Sequence, residues 1–269
     1  MAGCVTRGEP GMSLTEVELS STQTARTRSL PPVTLIIPAY NEERLLGRTI
    51  ASIHAAARDL AQPYEVIVVD DRSTDGTAAI ARAFGARVVP VEFRQIARTR
   101  NAGAKAATGQ TLIFVDADTI VPATTVRAAL EALERGAAGG GATILIDGHV
   151  PLWARLLLPV FFHLLRVGRL AAGCYVFCSR TAFDAVGGFD ERLYAAEELA
   201  FSRALKRSGP VVILRETVTT SGRKLRTHSG WEVVRLFAGV ARRGTAFLRA
   251  RERLSLWYGD RRDDPDLRD

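Results

Sequence analysis

Two aspartates one residue apart, Asp116 and Asp118, end a short apolar run in the segment LIFVDADT. No basic residue lies between them, and two ionised carboxylates this close repel each other unless something positive lies between them. A hard divalent cation meets that need, because Mg²⁺ accepts one or two carboxylates and takes its other ligands from phosphate oxygens and water. The alternative is that both acids only cap the turn that leads to Pro122. The pair predicts a site for Mg²⁺ or Mn²⁺ that serves to bind phosphates.

A second polar segment, Pro38-Ala39-Tyr40-Asn41-Glu42, follows the first apolar run of the chain. The ring of Tyr40 offers a surface for a nucleobase, and Glu42 offers a carboxylate for a ribose or for a base N–H group. The alternative is an ordinary turn, with Glu42 as an acid in the first turn of a helix. Taken alone, the segment favours the turn.

Two more segments carry polar residues next to predicted strands. Asp70 and Asp71 end the apolar run VIVV, and we expect one of them to cap a turn while the other faces a ligand. The segment from Arg98 to Lys105 opens a predicted helix, where Gly103 permits close backbone approach and the basic residues could hold a diphosphate. The alternative for this segment is a helix face exposed to solvent.

Short apolar runs rich in β-branched residues alternate with helical patterns along most of the chain. Strands are predicted at residues 33–37, 65–69, 88–91, 112–115, 143–146, 211–214 and 218–220, and helices from an Asn41 cap to about residue 57, from a Ser73 or Thr74 cap to 84, and at 97–107, 123–135 and 197–208. This alternation is typical of a parallel sheet covered by helices on both faces. The C-terminal ends of its strands then share one edge, where ligands of open α/β sheets bind. The four polar segments are expected to meet there.

Composition limits the class of protein. The chain has 269 residues, of which 47% are hydrophobic and 24% charged, which fits one large α/β domain with a substantial core. Three cysteines are too few for a disulfide framework and indicate a reducing, cytoplasmic compartment. The net charge of +7 favours a phosphate-bearing small molecule or an anionic lipid surface as the partner. Nucleic acid is disfavoured, since no aromatic and glycine-rich RNA signature accompanies the basic residues.

The ends of the chain and the segment after residue 150 have a different character. Residues 1–32 are polar, lack the apolar stretch of a secretory signal and are predicted to form a disordered leader before a domain at 33–222. Residues 151–170 predict an amphipathic helix, too interrupted to span a bilayer, which packs on the domain or else lies on the inner face of a membrane. Residues 223–269 predict a basic loop, a helix from Trp231 to Arg253 and a charged tail.

Five segments, taken together, resemble the family 2 glycosyltransferases, inverting nucleotide-sugar enzymes of the GT-A fold. They are VTLIIPAYNEE, EVIVVDDRSTDGT, RTRNAGAKAATG, LIFVDADT and GGFDERLYAAEELAFSRALKRSG, in that order between residues 33 and 222. Each segment is moderately specific, and five in order form a specific pattern. The resemblance implies a single α/β domain of GT-A type, with a mostly parallel central sheet flanked by helices and a C-terminal helical extension.

The resemblance also implies roles for individual residues. Contacts with the nucleotide-sugar are implied for Pro38, Ala39, Tyr40, Glu42, Asp71, Arg100, Asn101, Gly103, Asp116, Ala117 and Arg223, with Lys105 a weaker candidate. Asp118 becomes the direct ligand of Mg²⁺ or Mn²⁺, and Asp116 serves the ribose or the metal. The basic loop at Arg223, Lys224 and His228 is expected to close over the diphosphate. For His228, contact with the metal and a surface position both stay open.

The general base of this family is usually an aspartate preceded by a glutamate, and here the matching pair is Glu197-Glu198. Glu198 takes the position of the base with one extra methylene group, and Glu197 is the rival candidate. A carboxylate in a partly apolar cleft can have its pKa raised toward the working pH for this role. The alternative is that both are first-turn acids that interact with a helix dipole.

The resulting hypothesis is a metal-dependent inverting glycosyltransferase that moves a sugar from a nucleotide-diphospho-sugar to an acceptor hydroxyl. A nucleotidyltransferase that makes a nucleotide-sugar is a second hypothesis, but it would need a glycine-rich basic loop after the first strand. A third is a non-catalytic nucleotide-binding or membrane-surface protein of the same fold, suggested by glutamate at the usual aspartate position. The sugar, the nucleotide base and the acceptor, including a lipid-linked one, stay open at this point.

Overall fold

The computed structural model describes residues 1–3, 32–171, 173–227, 231, 235, 242 and 245–254. The strands are β1 (Val33–Ala39), β2 (Tyr64–Asp71), β3 (Arg87–Val91), β4 (Thr111–Val115), β5 (Thr119–Ile120), β6 (Gly139–Asp147), β7 (Tyr175–Ser179) and β8 (Val211–Ser221). The helices are α1 (Leu46–Leu60), α2 (Thr77–Ala83), α3 (Ile96–Ala106), α4 (Ala123–Glu134), α5 (Leu152–Val167), α6 (Arg180–Val186), α7 (Glu197–Leu205), α8 (Arg223–Thr227) and α9 (Thr245–Leu248), followed by a 3₁₀ turn at Arg251–Arg253.

The eight strands form one mixed sheet in the order β3-β2-β1-β4-β7-β6-β8-β5. β1 pairs in parallel with β2 and β4, β2 with β3, and β6 with β8, whereas β7 runs antiparallel to both β4 and β6. Six strands therefore point the same way, and β7 and the short β5 are reversed. The predicted α/β class with a mostly parallel central sheet is confirmed. The C-terminal ends of the six parallel strands form what we call the ligand edge.

β1 lies in the middle of the sheet, and all seven of its residues are buried. The strand predicted at 33–37 is longer than expected, because β1 continues through Pro38 to Ala39. Val33 donates to Pro63 beside β2, so alternation along the strand directs Pro38 toward β4. The pairing with β4 stops at Ile36, so the missing N–H of Pro38 leaves no ladder bond unmade. The extra residues extend β1 to the ligand edge.

α1 covers the sheet through one apolar face. Leu46, Ile50, Ile53 and Ala57 are all buried, and burial of a side chain such as Ile50 contributes about 1.5–3 kcal/mol. The predicted Asn41 cap is wrong, since α1 starts after Leu45 and no side chain caps it. The Asn41 side chain instead bonds to the β2–α2 loop, where its Oδ1 accepts from the backbone N–H of Thr74 at 2.8 Å.

Two further corrections concern the second half of the sheet. β7 and α6, residues 175–186, are absent from the predicted elements, because the run YVFCS is short and apolar and gives no strand periodicity. The two strands predicted at 211–214 and 218–220 are the single strand β8. Arg215 and Glu216 interrupt its apolar pattern, but the pairing with β6 continues past them through an irregularity between Gly141 and Thr143.

Several predictions fall on residues outside the described ranges. These are most of the leader, His228 and most of the helix predicted from Trp231 to Arg253. Within the described part of that region, α9 ends at Leu248, so a continuous helix to Arg253 is wrong. The predicted helix at 151–170 is α5. Within the described ranges, no helix combines the length and the apolar character needed to cross a bilayer.

Candidate functional site

Strained loops gather at the ligand edge. Six non-glycine residues of the described chain have a positive φ, and four of them lie in loops at this edge: Asn41, Arg72, Arg94 and Ala196. A non-glycine residue in this conformation costs free energy and persists only where the surroundings fix it. Ala196, at φ 58°, directly precedes α7 and sets the direction in which its first two residues, Glu197 and Glu198, leave the loop. The conformation therefore indicates a constrained site.

Arg100 binds carboxylates from two parts of the chain. It lies on α3, and its side chain is only 2% exposed. Its Nη1 lies 2.5 Å from Oε1 of Glu197 and 3.5 Å from Oε1 of Glu198, and its Nη2 lies 3.0 Å from Oδ1 of Asp116. One buried guanidinium therefore joins the β4 exit loop to the start of α7. These residues were all predicted as site residues, and the structure brings them together.

The charges of this cluster affect one another. Burial works to lower the pKa of the Arg100 guanidinium, but the charges of Glu198, Glu197 and Asp116 outweigh burial and hold the pKa above its ordinary value. Burial raises the pKa of the Glu197 carboxyl, the nearby charge of Glu198 adds to the rise, and Arg100 opposes it. Arg100 therefore stays charged, and Glu197 takes up a proton more readily than an exposed glutamate.

Arg223 makes a similar but more open cluster on the other side of the edge. Its Nη2 donates to both carboxylate oxygens of Glu42, at 3.0 and 3.2 Å, and lies 3.9 Å from Oδ2 of Asp118. Thr220 donates to Oδ1 of Asp118 at 3.1 Å. The premise that the aspartate doublet lacks a basic partner is therefore wrong. Arg100 lies 16 residues before Asp116, on the helix that precedes β4, and Arg223 lies on α8, near the other end of the domain.

The donor atoms at the edge fit a divalent cation. Five carboxylates (Glu42, Asp116, Asp118, Glu197 and Glu198) lie 2.5–3.9 Å from the two guanidiniums. No cluster of three or more metal-binding side chains occurs in the described part of the chain. Two carboxylates suffice for Mg²⁺ or Mn²⁺ when phosphate oxygens and water complete the shell, so Asp116 and Asp118 would hold such an ion only together with a ligand.

The two aspartates at the end of β2 both have structural partners. Asp71 is buried and accepts from the backbone N–H groups of residues 93, 94 and 95 and from the Thr99 hydroxyl, at 2.7–3.2 Å. Asp70 accepts from the backbone N–H of Ser73 at 3.3 Å. Asp71 was predicted to hold the nucleoside, but both of its oxygens fix the β3–α3 loop and the start of α3. Its contact with a nucleoside stays a prediction.

Tyr40 lies at the exit of β1, after Pro38 and the buried Ala39. The guanidinium carbon of Arg94 lies 3.4 Å from the centre of the Tyr40 ring, a cation–π contact. Arg94 is not among the predicted site residues. Its position after β3 is the signal in the sequence, since polar residues at strand exits mark the ligand edge. The same signal applies to Thr220 at the end of β8.

Three predicted residues of α3 do not face the ligand edge. Asn101 bonds through its amide to the backbone of Phe189 and to the Glu191 side chain, so it holds the loop that leads to α7. A side chain at Gly103 would lie 2.3 Å from Ile36 on β1, so this glycine allows α3 to pack on the sheet. Lys105 is exposed in the last turn of α3, toward the opposite edge. The expected diphosphate contacts of Gly103 and Lys105 do not fit these positions.

Ala117, between the two aspartates, is buried, and its carbonyl oxygen accepts from the Thr49 hydroxyl of α1 at 2.9 Å. This bond fixes the backbone between Asp116 and Asp118. Asp116 also has its backbone N–H bonded to the carbonyl of Cys174, which precedes β7, at 2.9 Å. The backbone of the β4 exit loop is therefore held by α1 on one face of the sheet and by the segment that leads into the neighbouring strand β7.

Comparison with known sequences identifies the family to which this chain belongs. The model described as Glycosyl transferase family 2 matches residues 34–184, more than half of the chain. The validoxylamine A glucosyltransferase of Streptomyces hygroscopicus subsp. limoneus is 35% identical over 98 residues, covering 34% of this chain and 21% of that protein. The undecaprenyl-phosphate 4-deoxy-4-formamido-L-arabinose transferase of Serratia proteamaculans is 31% identical over 119 residues, covering 42% of this chain and 36% of that protein. The chain thus spans well under half the length of these relatives.

Two solved structures share the architecture. The mannosyltransferase PcManGT from Pyrobaculum calidifontis, in complex with GDP-Man and Mn²⁺, has a TM-score of 0.61 and 22% identity, with 82% of this chain and 63% of that chain covered. TarS of S. aureus, in complex with UDP-GlcNAc, has a TM-score of 0.55 and 19% identity, with 84% and 70% covered. Likeness at this level of identity shows the fold, and the predicted GT-A type is confirmed.

Proposed function

Because the chain belongs to glycosyl transferase family 2, we propose that it moves a sugar from a nucleotide-diphospho-sugar to an acceptor hydroxyl, with inversion at the anomeric carbon. The observation that carries the proposal is the cluster around Arg100. This single buried side chain binds Asp116, on the side expected for the donor, and the Glu197-Glu198 pair, on the side expected for the acceptor. Inversion at the anomeric carbon needs the donor diphosphate on one face of the sugar ring and the base with the acceptor on the other, and Arg100 holds residues of both sides in place.

We assign the general base to Glu198 rather than to Glu197. Glu197 has a 3% exposed side chain and makes the short contact with Arg100, so an acceptor hydroxyl has little access to it. Glu198 has a 15% exposed side chain and lies farther from Arg100, at 3.5 Å. Glu197 is then committed to its contact with Arg100, and Glu198 is the member of the pair that an acceptor can reach. The extra methylene relative to aspartate moves that carboxylate farther from the helix backbone.

The reaction balances with these groups. The acceptor hydroxyl gives its proton to the Glu198 carboxylate while its oxygen forms a bond to the anomeric carbon. The bond from that carbon to the donor phosphate oxygen breaks, and the nucleoside diphosphate leaves with the electron pair. Asp118 and Asp116 would hold Mg²⁺ or Mn²⁺, which when bound neutralises the charge that grows on the diphosphate. Arg223 supplies a further positive group close to the same carboxylates.

The properties of similar proteins support this proposal without fixing the substrates. PcManGT was solved with GDP-Man and Mn²⁺ and TarS with UDP-GlcNAc, so both guanosine and uridine donors are candidates here. The relative from Serratia proteamaculans is named for an undecaprenyl-phosphate acceptor, which supports a lipid-linked acceptor for this chain. Nucleotidyl transfer is not favoured, because the loop after β1 lacks the glycine-rich basic sequence that it would need.

A thermal-shift screen with donors tests the proposal. Nucleoside diphosphates and their sugars are added with and without Mn²⁺, and a true donor at about 100 times its Kd should raise the Tm by about 5 °C or more. The same screen on Asp118→Asn should lose the Mn²⁺-dependent part of the shift while the Tm without ligand stays near that of the wild type. Hydrolysis or transfer of the donor that gives the shift is then measured. Binding without turnover in any acceptor mixture would support a non-catalytic protein, and release of pyrophosphate from a nucleoside triphosphate and a sugar phosphate would support nucleotidyl transfer.

A further inference from the structure

α5 exposes an unusual amount of apolar surface. Six of the ten exposed large hydrophobic side chains of the described chain lie on this one helix: Leu152, Leu156, Leu157, Val160, Leu164 and Val167, each 56–71% exposed. Their spacing of mostly three or four residues places them along one side of the helix, which we call the α5 stripe. Ala154 is the only residue of α5 that is fully buried. An exposed apolar patch of this kind marks a contact surface.

The charges beside the α5 stripe have one sign. Residues 148–170 contain three arginines and no aspartate or glutamate. Arg166 bonds to the Thr143 hydroxyl and to the carbonyl of Leu214, so it fixes the helix to the sheet. Arg155 and Arg169 are exposed. Arg155 comes three residues after Leu152, next to one margin of the stripe, and Arg169 follows the C-terminal end of α5. An apolar stripe flanked by cations is the pattern of a helix that lies in the interface of an anionic bilayer.

From these observations we infer that the α5 stripe docks on an anionic lipid surface, with Arg155 and Arg169 at the headgroups. A second copy of the chain is the competing occupant. A two-fold contact through the stripe would bring the two sets of arginines close together with no acidic side chain of residues 148–170 to pair with them. Phosphate headgroups, in contrast, complement both the arginines and the apolar side chains.

The position of the stripe relative to the ligand edge fits this role. A groove of about 520 Å³ lies between α5 and β6, lined in part by Gly148, His149 and Val150. These residues follow Asp147, whose carbonyl accepts from Arg226 of α8 at 2.8 Å. α8 also carries Arg223 of the candidate site. Docking would therefore bring the ligand edge near the bilayer, where a lipid-linked acceptor would be found, a consequence that rests on the proposed glycosyl transfer.

Vesicle co-sedimentation of the full chain tests the inference. Vesicles of phosphatidylcholine with phosphatidylglycerol should bind the wild type at least about 25-fold more tightly than phosphatidylcholine alone, and added salt should reduce the difference. The double variant Leu156→Glu/Val160→Glu should lose at least about ten-fold of the binding. Arg155→Gln/Arg169→Gln should weaken binding to the anionic vesicles by about five-fold for each arginine and leave binding to the neutral vesicles unchanged.

The matched control places the same two charges on another exposed helix face. Ala51 and Ala55 of α1 are exposed and have the same four-residue spacing, so Ala51→Glu/Ala55→Glu should bind vesicles within about two-fold of the wild type. Wild-type protein that does not bind anionic vesicles, or a stripe variant that binds like the control, would overturn the inference. So would sedimentation velocity in which the wild type is a dimer and only the stripe variant is a monomer. Donor turnover without vesicles is measured on each variant, so failure of docking is distinguished from failure of the proposed function.

Discussion

Arg100 and Arg223 both neutralise carboxylates at the ligand edge, but their surroundings differ. Arg100 is 2% exposed and holds three carboxylates, and it projects from the eleven-residue helix α3. Arg223 is 13% exposed, bonds chiefly to Glu42, and begins the five-residue helix α8. The first guanidinium is built into the fold, and the second is placed on a short element at the rim of the site.

The support of α3 strengthens this contrast. Asp71 fixes the start of α3, and Gln95 donates to the carbonyls of Glu191 and Leu193, in the loop that leads to α7. Asn101 holds the same loop through Phe189. These bonds fix the side that we propose for the acceptor without any ligand. On the side proposed for the donor, Arg223 lies on a short helix, which suits the proposed contact with a diphosphate.

The largest expected effect is on catalysis and follows from changing Glu198, which lies 3.5 Å from Arg100. Glu198→Gln keeps the size of the side chain but removes the base, so kcat should fall by about 10²–10⁴-fold with little change in the donor KM. Steady-state kinetics with the donor found by thermal shift would measure it. Glu198→Asp is the matched control, since it restores the residue usual in the family, and it should keep a substantial part of the activity. Normal turnover by Glu198→Gln would reassign the base, with Glu197→Gln as the next variant to assay.

Removal of Arg100 should have the largest effect on stability. Arg100→Met leaves Glu197, Glu198 and Asp116 close together without their shared cation, and breaking a buried pair from one side costs about 3–5 kcal/mol. Urea unfolding measures the loss. Arg100→Lys keeps the charge but cannot reach both sides with a planar fork, so an intermediate loss is expected. A free energy of unfolding within about 1 kcal/mol of the wild type for Arg100→Met would show that the cluster does not anchor the acceptor side.

The sequence was sufficient for most of the strands and for the polar segments after β1, β2 and β4, because apolar runs and polar ends depend on local composition. It was insufficient where a contact joins distant segments. Nothing near Asp116 in the sequence indicates that Arg100 faces it, since the partner is chosen by how α3 packs, which depends on Gly103 lying against Ile36. The same holds for Asp71. Its carboxylate oxygens accept hydrogen bonds from the β3–α3 loop and from α3, and these contacts form only when the chain folds. A local sequence pattern alone therefore does not show whether an acidic loop residue contacts a ligand or makes a structural hydrogen bond.

Arg223 should show the opposite behaviour to Arg100. Arg223→Gln removes a cation expected to contact the diphosphate, so the donor KM should rise by about ten-fold while the free energy of unfolding changes by only about 1 kcal/mol. The measurements are donor titration and urea unfolding on the same preparation. Arg226, one turn later, donates to the carbonyl of Asp147, and Arg226→Gln is the control that should change stability more than donor binding. If the Arg223 variant loses as much stability as Arg100→Met, the contrast between the two sides does not hold.

A third arginine completes the series with the smallest expected effect. Arg192 is 72% exposed and forks onto Asp190 with both distances at 2.8 Å. Its hydrogen bonds hold the pKa of the Asp190 carboxyl at about 2, below the ordinary 3.8. Because the pKa is lower in the folded state, the pair contributes stability that is present above pH 3.8 and lost as the pH falls through about 2.

The Tm of the wild type should exceed that of Asp190→Asn by less than about 4 °C at pH 5, and this difference should close toward pH 2. A gap that widens as the pH falls would contradict this sign, and Arg192→Gln should reproduce the Asp190→Asn result because both variants remove the same exposed pair.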